Sequence, residues 1–378
     1  MRIAFFYHSI VSDWNNGNAH FLRGIVTELL ARGHDVRVCE PENGWSLQNL
    51  TMQFGQEPFK IFRKLFSGIR PYFYSADLTE LDKLLEDIDV VIVHEWNDAR
   101  MIRRIAGIRK GGGAFKLLFH DTHHRYFTSP HLLDEIDLRN FDGVLAFGEE
   151  LRLYYIKQGI APAWTWHEAA DTRIFYPRHP DRHRRDLIWI GNGGDGERNL
   201  EYRQFLLEPV RVLKLQATVY GVRYDSDALQ TLQTAGIQYG GWLANYQVPA
   251  AFAGHRLTLH IPRAPYVRVL KGIPTIRPFE ALACGIPLIC TPWEDTENLF
   301  SPGKDYLVAR NSAEMKRHIR DVLNDAFLAA AMSAHGRRTI MARHTCAHRV
   351  NELMAILASL GVSAQDEEPP YMKKAGKQ

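Results

Sequence analysis

The stretch from Lys271 to Cys290 constrains this chain most. Ile276, Phe279 and Ala283 recur at the spacing of one helical face, Gly285 stands where the C′ residue of a helix belongs, and Pro287 opens the apolar run Leu288-Ile289-Cys290. The pattern predicts a polar loop, a short helix starting near Thr275, and a buried strand. First-turn N–H groups and the positive dipole end of that helix would face a ligand before Thr275, with Lys271 and Arg277 beside them, which suits a diphosphate. One turn deeper, Glu280 offers a carboxylate able to accept two hydrogen bonds at once, as from adjacent ribose hydroxyls. The rival reading of the same residues is a surface i, i+3 ion pair between Arg277 and Glu280.

The N-terminal half alternates strands and helices. Residues 2–7 and 35–39 read as buried strands around a helix at 19–31, whose apolar side holds Leu22, Ile25, Val26 and Leu29 and which stops at Gly33. This is the opening of a doubly wound parallel sheet, in which ligands lie beyond the carboxyl ends of the strands. Gly17 follows the first strand in a loop that can bring backbone close to such a ligand. Val90–Val93 ends in His94-Glu95-Trp96, Lys116–Phe119 in His120-Asp121-Thr122-His123-His124, and Gly143–Phe147 in Gly148-Glu149. Asp121, His120 and Glu95 are thus the candidates for taking a proton from a hydroxyl. A zinc site is one alternative for the histidine cluster, although consecutive residues on an extended segment point in alternating directions. A polar loop capping the next helix is another.

Residues 43–76 break the alternation as an aromatic-rich insertion. Its helical part, Phe59–Phe66, is apolar and basic; packing against the first domain is expected, with a membrane-surface or hydrophobic-acceptor role as the alternative. Arg178–Asp186 reads as a solvated interdomain hinge. The second half restarts with the strand Leu187–Ile190 and the loop Gly191–Arg198, in which Gly193 and Gly194 let amides approach a phosphate and Arg198 can neutralise it. Asp225-Ser226-Asp227 has the D-x-D form of a metal motif, but it is expected to cap the helix from Ala228. His260 and Arg263 follow another strand. A last helix spans about 346–360, and the polar residues 362–378 are expected to be a disordered tail.

At 378 residues the chain has room for two domains, and a net charge of +3 gives no argument for a nucleic-acid partner. Cys39, Cys284, Cys290 and Cys346 show no C-x-x-C spacing, and no apolar run reaches membrane-spanning length, so a reduced, cytoplasmic protein without a transmembrane segment is expected.

The segment Arg-Pro-Phe-Glu-Ala-Leu-Ala-Cys-Gly-Ile-Pro-Leu-Ile, residues 277–289, resembles the donor site of GT-B glycosyltransferases, especially the CgeB-like group related to family 4. Asp171, Phe175 and Pro177 are similar to the segment that leaves the N-domain in that fold. The resemblance implies an α/β protein of two Rossmann-like doubly wound domains facing a cleft: residues 1–176 for the acceptor, 177–345 for a nucleotide sugar, and a helix over 346–361 returning to the first domain. It implies that Glu280 holds the ribose and that Tyr224 lies beside the base. Arg198, Lys271, Arg277 and the amides near Gly193, Gly194 and Thr275 would hold the diphosphate. Many family 4 enzymes carry an earlier glutamate in the central segment, where this chain has Gly272. The expected activity is metal-independent transfer of a hexosyl group from a nucleotide-diphosphate sugar, UDP-sugar foremost, to a hydroxyl acceptor, with no cofactor. The alternatives are a nucleotide-sugar epimerase, a non-catalytic nucleotide-sugar-binding protein and a DNA-modifying glycosyltransferase.

Overall fold

The computed structural model describes residues 1–75, 77–160, 162–194 and 196–362. The chain divides into two units, one of residues 1–167 with the chain from Cys346 on, the other of residues 168–345. The expected boundary after residue 176 therefore falls inside the second unit, where Phe175 is buried with Phe279, Leu282 and Ile340. The expected tail lies, from residue 363 on, outside the described residues.

The first unit is built on a seven-stranded sheet. Its strands are β1 (Arg2–Phe6), β2 (Asp35–Pro41), β3 (Tyr72–Tyr74), β4 (Val90–His94), β5 (Lys116–Asp121), β6 (Gly143–Ala146) and β7 (Ala163–Thr165). They lie in the order β3-β2-β1-β4-β5-β6-β7, all parallel. The central strands are continuous apolar runs because helices cover both faces of such a sheet. Helix Ala19–Ala31 ends as its sequence predicts, with Gly33 at φ 81°.

The aromatic-rich insertion does not interrupt the winding. It forms helices Trp45–Phe54 and Glu57–Leu65 and then β3, which pairs with β2 from Cys39↔Tyr72 to Pro41↔Tyr74. It is a two-helix crossover, hidden in the sequence because β3 is a three-residue edge strand with Tyr72 and Phe73 exposed. Phe62 and Phe66, one turn apart, are buried beneath the Arg23 guanidinium, 5.3 and 5.2 Å from its carbon. Helix Cys346–Ser359 packs on helix Ala19–Ala31, where Arg32 donates to the Asn351 side chain (2.7 Å) and the Ala347 carbonyl (3.1 Å).

The second unit holds a six-stranded parallel sheet of β8 (Arg185–Ile190), β9 (Ala217–Tyr220), β10 (Ile237–Tyr239), β11 (His255–His260), β12 (Leu288–Cys290) and β13 (Leu307–Val308). The order is β10-β9-β8-β11-β12-β13. One face packs against Met315, Ile319 and Val322 of helix Ser312–Asn324, the other against Phe279 and Leu282 of helix Ile276–Cys284. Gly285 closes that second helix at φ 66°, as its place in the sequence requires. All four cysteines are buried, and none is in a disulfide among the described residues.

Candidate functional site

In the second unit the carboxyl edge of the sheet is bounded by the loop after β8, the end of β11 and the start of helix Ile276–Cys284. Thr275, the residue that enters this helix, has φ 58° and ψ −177°, a conformation a β-branched residue adopts at a cost of about 1–3 kcal/mol. Its side chain makes no capping bond, so the first-turn amides are left to other partners. Pro278 then contributes no N–H at all.

Glu280 is fully buried, and the Arg277 guanidinium, itself mostly covered, pairs with its carboxylate. The two residues are the i, i+3 pair the sequence allows, but not on a surface. A second carboxyl, Glu168, is buried in the field of the same pair, and its pKa is raised well above the usual range, by burial first, then by Glu280, against the pull of Arg277. The place of Glu168 beside Glu280 could not be read from the sequence, which separates the two by more than a hundred residues.

The other expected donor residues are already engaged. The Arg198 guanidinium donates to the carbonyls of Asn192 and Ile261, both at 3.1 Å, and lies over Trp189 at 5.2 Å. It thus ties the glycine-rich loop to the end of β11. Gly193 donates its amide to Val222 (2.9 Å), and a Cβ there would meet the Arg223 carbonyl oxygen at 2.7 Å. Gly194 has φ 73°. These glycines let the loop fold against the turn after β9, where the Gly193 amide is already bonded. Tyr224 donates to the Gly191 carbonyl (3.0 Å) and rests against Tyr239. Lys271 pairs with Glu294 at 2.9 Å on a partly exposed surface. Gly272, at the position where the resemblance would place an earlier glutamate, has φ 84°, and a Cβ would meet Thr296 Oγ1 at 2.3 Å. Asp225 accepts from the Ala228 amide at 2.8 Å, the N-cap its sequence predicts. His260, the last residue of β11, is buried with neither ring nitrogen hydrogen-bonded among the described residues.

In the first unit, β4 and β5 end side by side, with His94 opposite His120 and the Glu95 amide donating to the His120 carbonyl (2.9 Å). Glu95, His120 and Asp121 are brought together, and all three are fully buried. Asp121 accepts from the Tyr155 hydroxyl (2.5 Å) and the His123 amide (3.0 Å), but burial outweighs these bonds and pushes its pKa up to about 6. Burial, and then Asp121, raise Glu95 well above the carboxylate range despite its ion pair with Arg125 at 2.8 Å. Burial lowers His120 to about 3. Its ring is enclosed by Phe21, Trp166 and His94.

Above this buried tier lie Trp96, half-buried His8 and half-buried His123. His8 Nδ1 is 3.2 Å from His94 Nδ1, and His94 Nε2 is 3.0 Å from Thr122 Oγ1, forming a chain from surface to interior. Burial, helped by the Arg125 charge, lowers His8 to about 3, so its imidazole is neutral at physiological pH. Arg125 stacks over Trp96 at 4.5 Å. His8 was absent from the sequence-derived candidates, although it is the first polar residue after β1 and obeys the same strand-end rule as Glu95 and Asp121. Gly17 lies in this unit, half-buried between β1 and the next helix, and its neighbour Asn18 donates to Thr122 Oγ1 at 2.6 Å.

Residues 198–355 match a family described as glycosyl transferase-like. No curated protein matches the chain. Among solved structures, Anabaena Alr3699/HepE in complex with UDP and glucose is 14% identical over 95% of this chain and 100% of that one, with TM-score 0.67. T4 phage BGT in complex with its UDP-glucose substrate is 14% identical over 96% and 100%, TM-score 0.62. The sucrose-phosphate synthase of Thermosynechococcus elongatus is 13% identical over 96% and 99%, TM-score 0.62. The chain has the GT-B fold of glycosyltransferases, two parallel-sheet Rossmann-like units. It carries a glycosyltransferase-like domain through most of the second unit and into the helix that follows.

Proposed function

We propose that this protein is a glycosyltransferase of the CgeB-like, family 4-related group, moving a hexosyl unit from a UDP-sugar to a hydroxyl acceptor. The observation that carries the reading is the fully buried Glu280 carboxylate, oriented by Arg277 on the first turn of a helix at a sheet's carboxyl edge. A buried ion pair costs desolvation, and a carboxylate kept in one is well suited to hold a ribose diol. Structures of the same fold bind UDP and UDP-glucose, which supports uridine as the base. Arg277, Arg198 and the first-turn amides near Thr275 stabilise charge on the leaving diphosphate, so no divalent ion is needed for that task. Lys271 joins them once it leaves Glu294.

The acceptor side belongs to the first unit. Contact with an acceptor hydroxyl requires an accessible base. His8 meets this condition, and Glu95, His120 and Asp121 serve as the tier that orients it and Thr122. Four buried cysteines without a disulfide among the described residues suit a reducing compartment, and no described helix is long and apolar enough to cross a membrane. A cytoplasmic location belongs to the same proposal.

The test is UDP release from UDP-sugars in the presence of hydroxyl acceptors, with and without EDTA. Acceptor-dependent release is expected to persist in EDTA, and His8→Ala to lower it on the order of 10²–10⁴-fold with nucleotide affinity unchanged. An epimerised sugar formed without acceptor would establish the epimerase instead. Binding without turnover on any acceptor would leave a binding protein.

A further inference from the structure

We infer that His260 is a diphosphate ligand of the donor site, and that its imidazole takes up a proton from solvent when a nucleotide sugar binds. This rests on the donor-site reading above and adds a residue to it.

His260 ends β11 at the sheet edge where helix Ile276–Cys284 begins. It is 4% exposed, and among the described residues neither Nδ1 nor Nε2 has a hydrogen-bond partner. An imidazole always carries at least one N–H donor or one lone pair at each nitrogen, and leaving both unused in the interior is costly. Such a group calls for a missing partner. The charged groups that face the ring are Arg277, from the helix packed beside β11, and Arg198, from the loop after β8. Trp293, beyond β12, presents an uncharged ring edge at 6.5 Å. Thus two guanidinium groups, one of them paired with the Glu280 carboxylate, share one locality with this imidazole at a helix N-terminus, and among the described residues no carboxylate acts directly on the imidazole.

This set is complementary to an anion with several oxygens. Without an anion, burial and then the charges of Arg198 and Arg277 hold the imidazole at about 3, so it is neutral. A diphosphate among them reverses the sign of the local field and offers an acceptor oxygen to the imidazolium. The free protein then binds fewer protons than the complex, and affinity must rise as pH falls toward the pKa of the bound state and below it. No covalent bond changes. The proton comes from the buffer and returns to it when the nucleotide leaves.

UDP-, GDP-, ADP- and dTDP-glucose serve as probes because their bridged diphosphates do not titrate near neutrality. Calorimetry of the tightest binder at pH 6, 7 and 8, in buffers of different ionisation enthalpy, counts the protons exchanged. The expected result is net uptake approaching about one proton at pH 6, with affinity rising up to roughly tenfold per pH unit below the bound pKa. His260→Asn should abolish the uptake and weaken binding roughly tenfold at pH 6, while the histidine Cε1 resonance of the unmutated protein should shift to the imidazolium position on binding. Binding with no proton uptake and no resonance shift overturns the role of His260 and leaves the donor site standing. Binding of none of the four probes overturns the donor site and this inference with it. The parent protein alone decides the matter if the variant fails to fold.

Discussion

Two residues show how far local geometry dictates identity here. Gly272 stands where the resemblance to family 4 glycosyltransferases would put a glutamate, yet its φ of 84° and Thr296 Oγ1, 2.3 Å from where a Cβ would lie, oppose a side chain there. Gly272→Glu should therefore not recover a sugar contact. It should destabilise the protein by about 1–3 kcal/mol in urea titration, the cost of forcing a side chain into left-handed backbone against a close neighbour. Glu40 is buried at the end of β2, and its carboxylate accepts from the Ile10 (3.0 Å) and Val11 (3.1 Å) amides of the loop that carries His8 toward Gly17. Burial outweighs those bonds and raises it to about 7. The folded protein holds this proton more tightly than the unfolded chain, whose glutamate titrates at about 4.3. The contribution is full below about pH 4 and is lost as pH rises to about 7, a change of order 3 kcal/mol. Denaturation at pH 4.5 to 8 should show Glu40→Gln less pH-dependent than the parent by that amount; equal slopes would exclude Glu40 as the cause.

At the scale of elements, the helix bearing Glu280 is held in place by its neighbour. Gly336, in helix Ala326–Arg343, faces Leu282, and a Cβ there would come 2.6 Å from Leu282 Cδ2. Gly336→Val should wedge the helices apart, costing about 1–3 kcal/mol and weakening nucleotide binding, measured together by melting and calorimetry. An unchanged melting temperature would show that Leu282 simply yields. The elements themselves were largely legible. Gly33 and Gly285 marked helix ends, Asp225 an N-cap, and apolar runs the buried strands, because each depends on nearby residues alone. The crossover to β3 was not, since Tyr72-Phe73-Tyr74 carries no burial pattern when one face is solvent. Nor did spacing reveal depth: Glu95, His120 and Asp121 sit at strand ends as expected, but which tier of an edge meets solvent depends on loops such as the one carrying His8. Partners distant in sequence, including Glu168 for Glu280 and Ile261 for Arg198, were equally invisible.

At the scale of the molecule, a seven-stranded and a six-stranded parallel sheet each present polar side chains at their carboxyl edges, one rich in histidine, the other in arginine with the buried Arg277–Glu280 ion pair. The fold is shared by proteins acting on quite different acceptors, from sucrose-phosphate synthase to a DNA-modifying glucosyltransferase, so it does not choose the acceptor. The donor is the better-defined half. The donor-site proposal rests on Glu280, and calorimetric titration of UDP, GDP, ADP and TDP into the parent and into Glu280→Ala, without added metal, tests that role most directly. Selective binding of UDP, weakened at least about tenfold by the loss of a charge-assisted bond in the variant, is the predicted result. Binding unchanged by Glu280→Ala, or no binding of any nucleotide, would contradict it and reduce the Arg277–Glu280 pair to a structural feature of the fold.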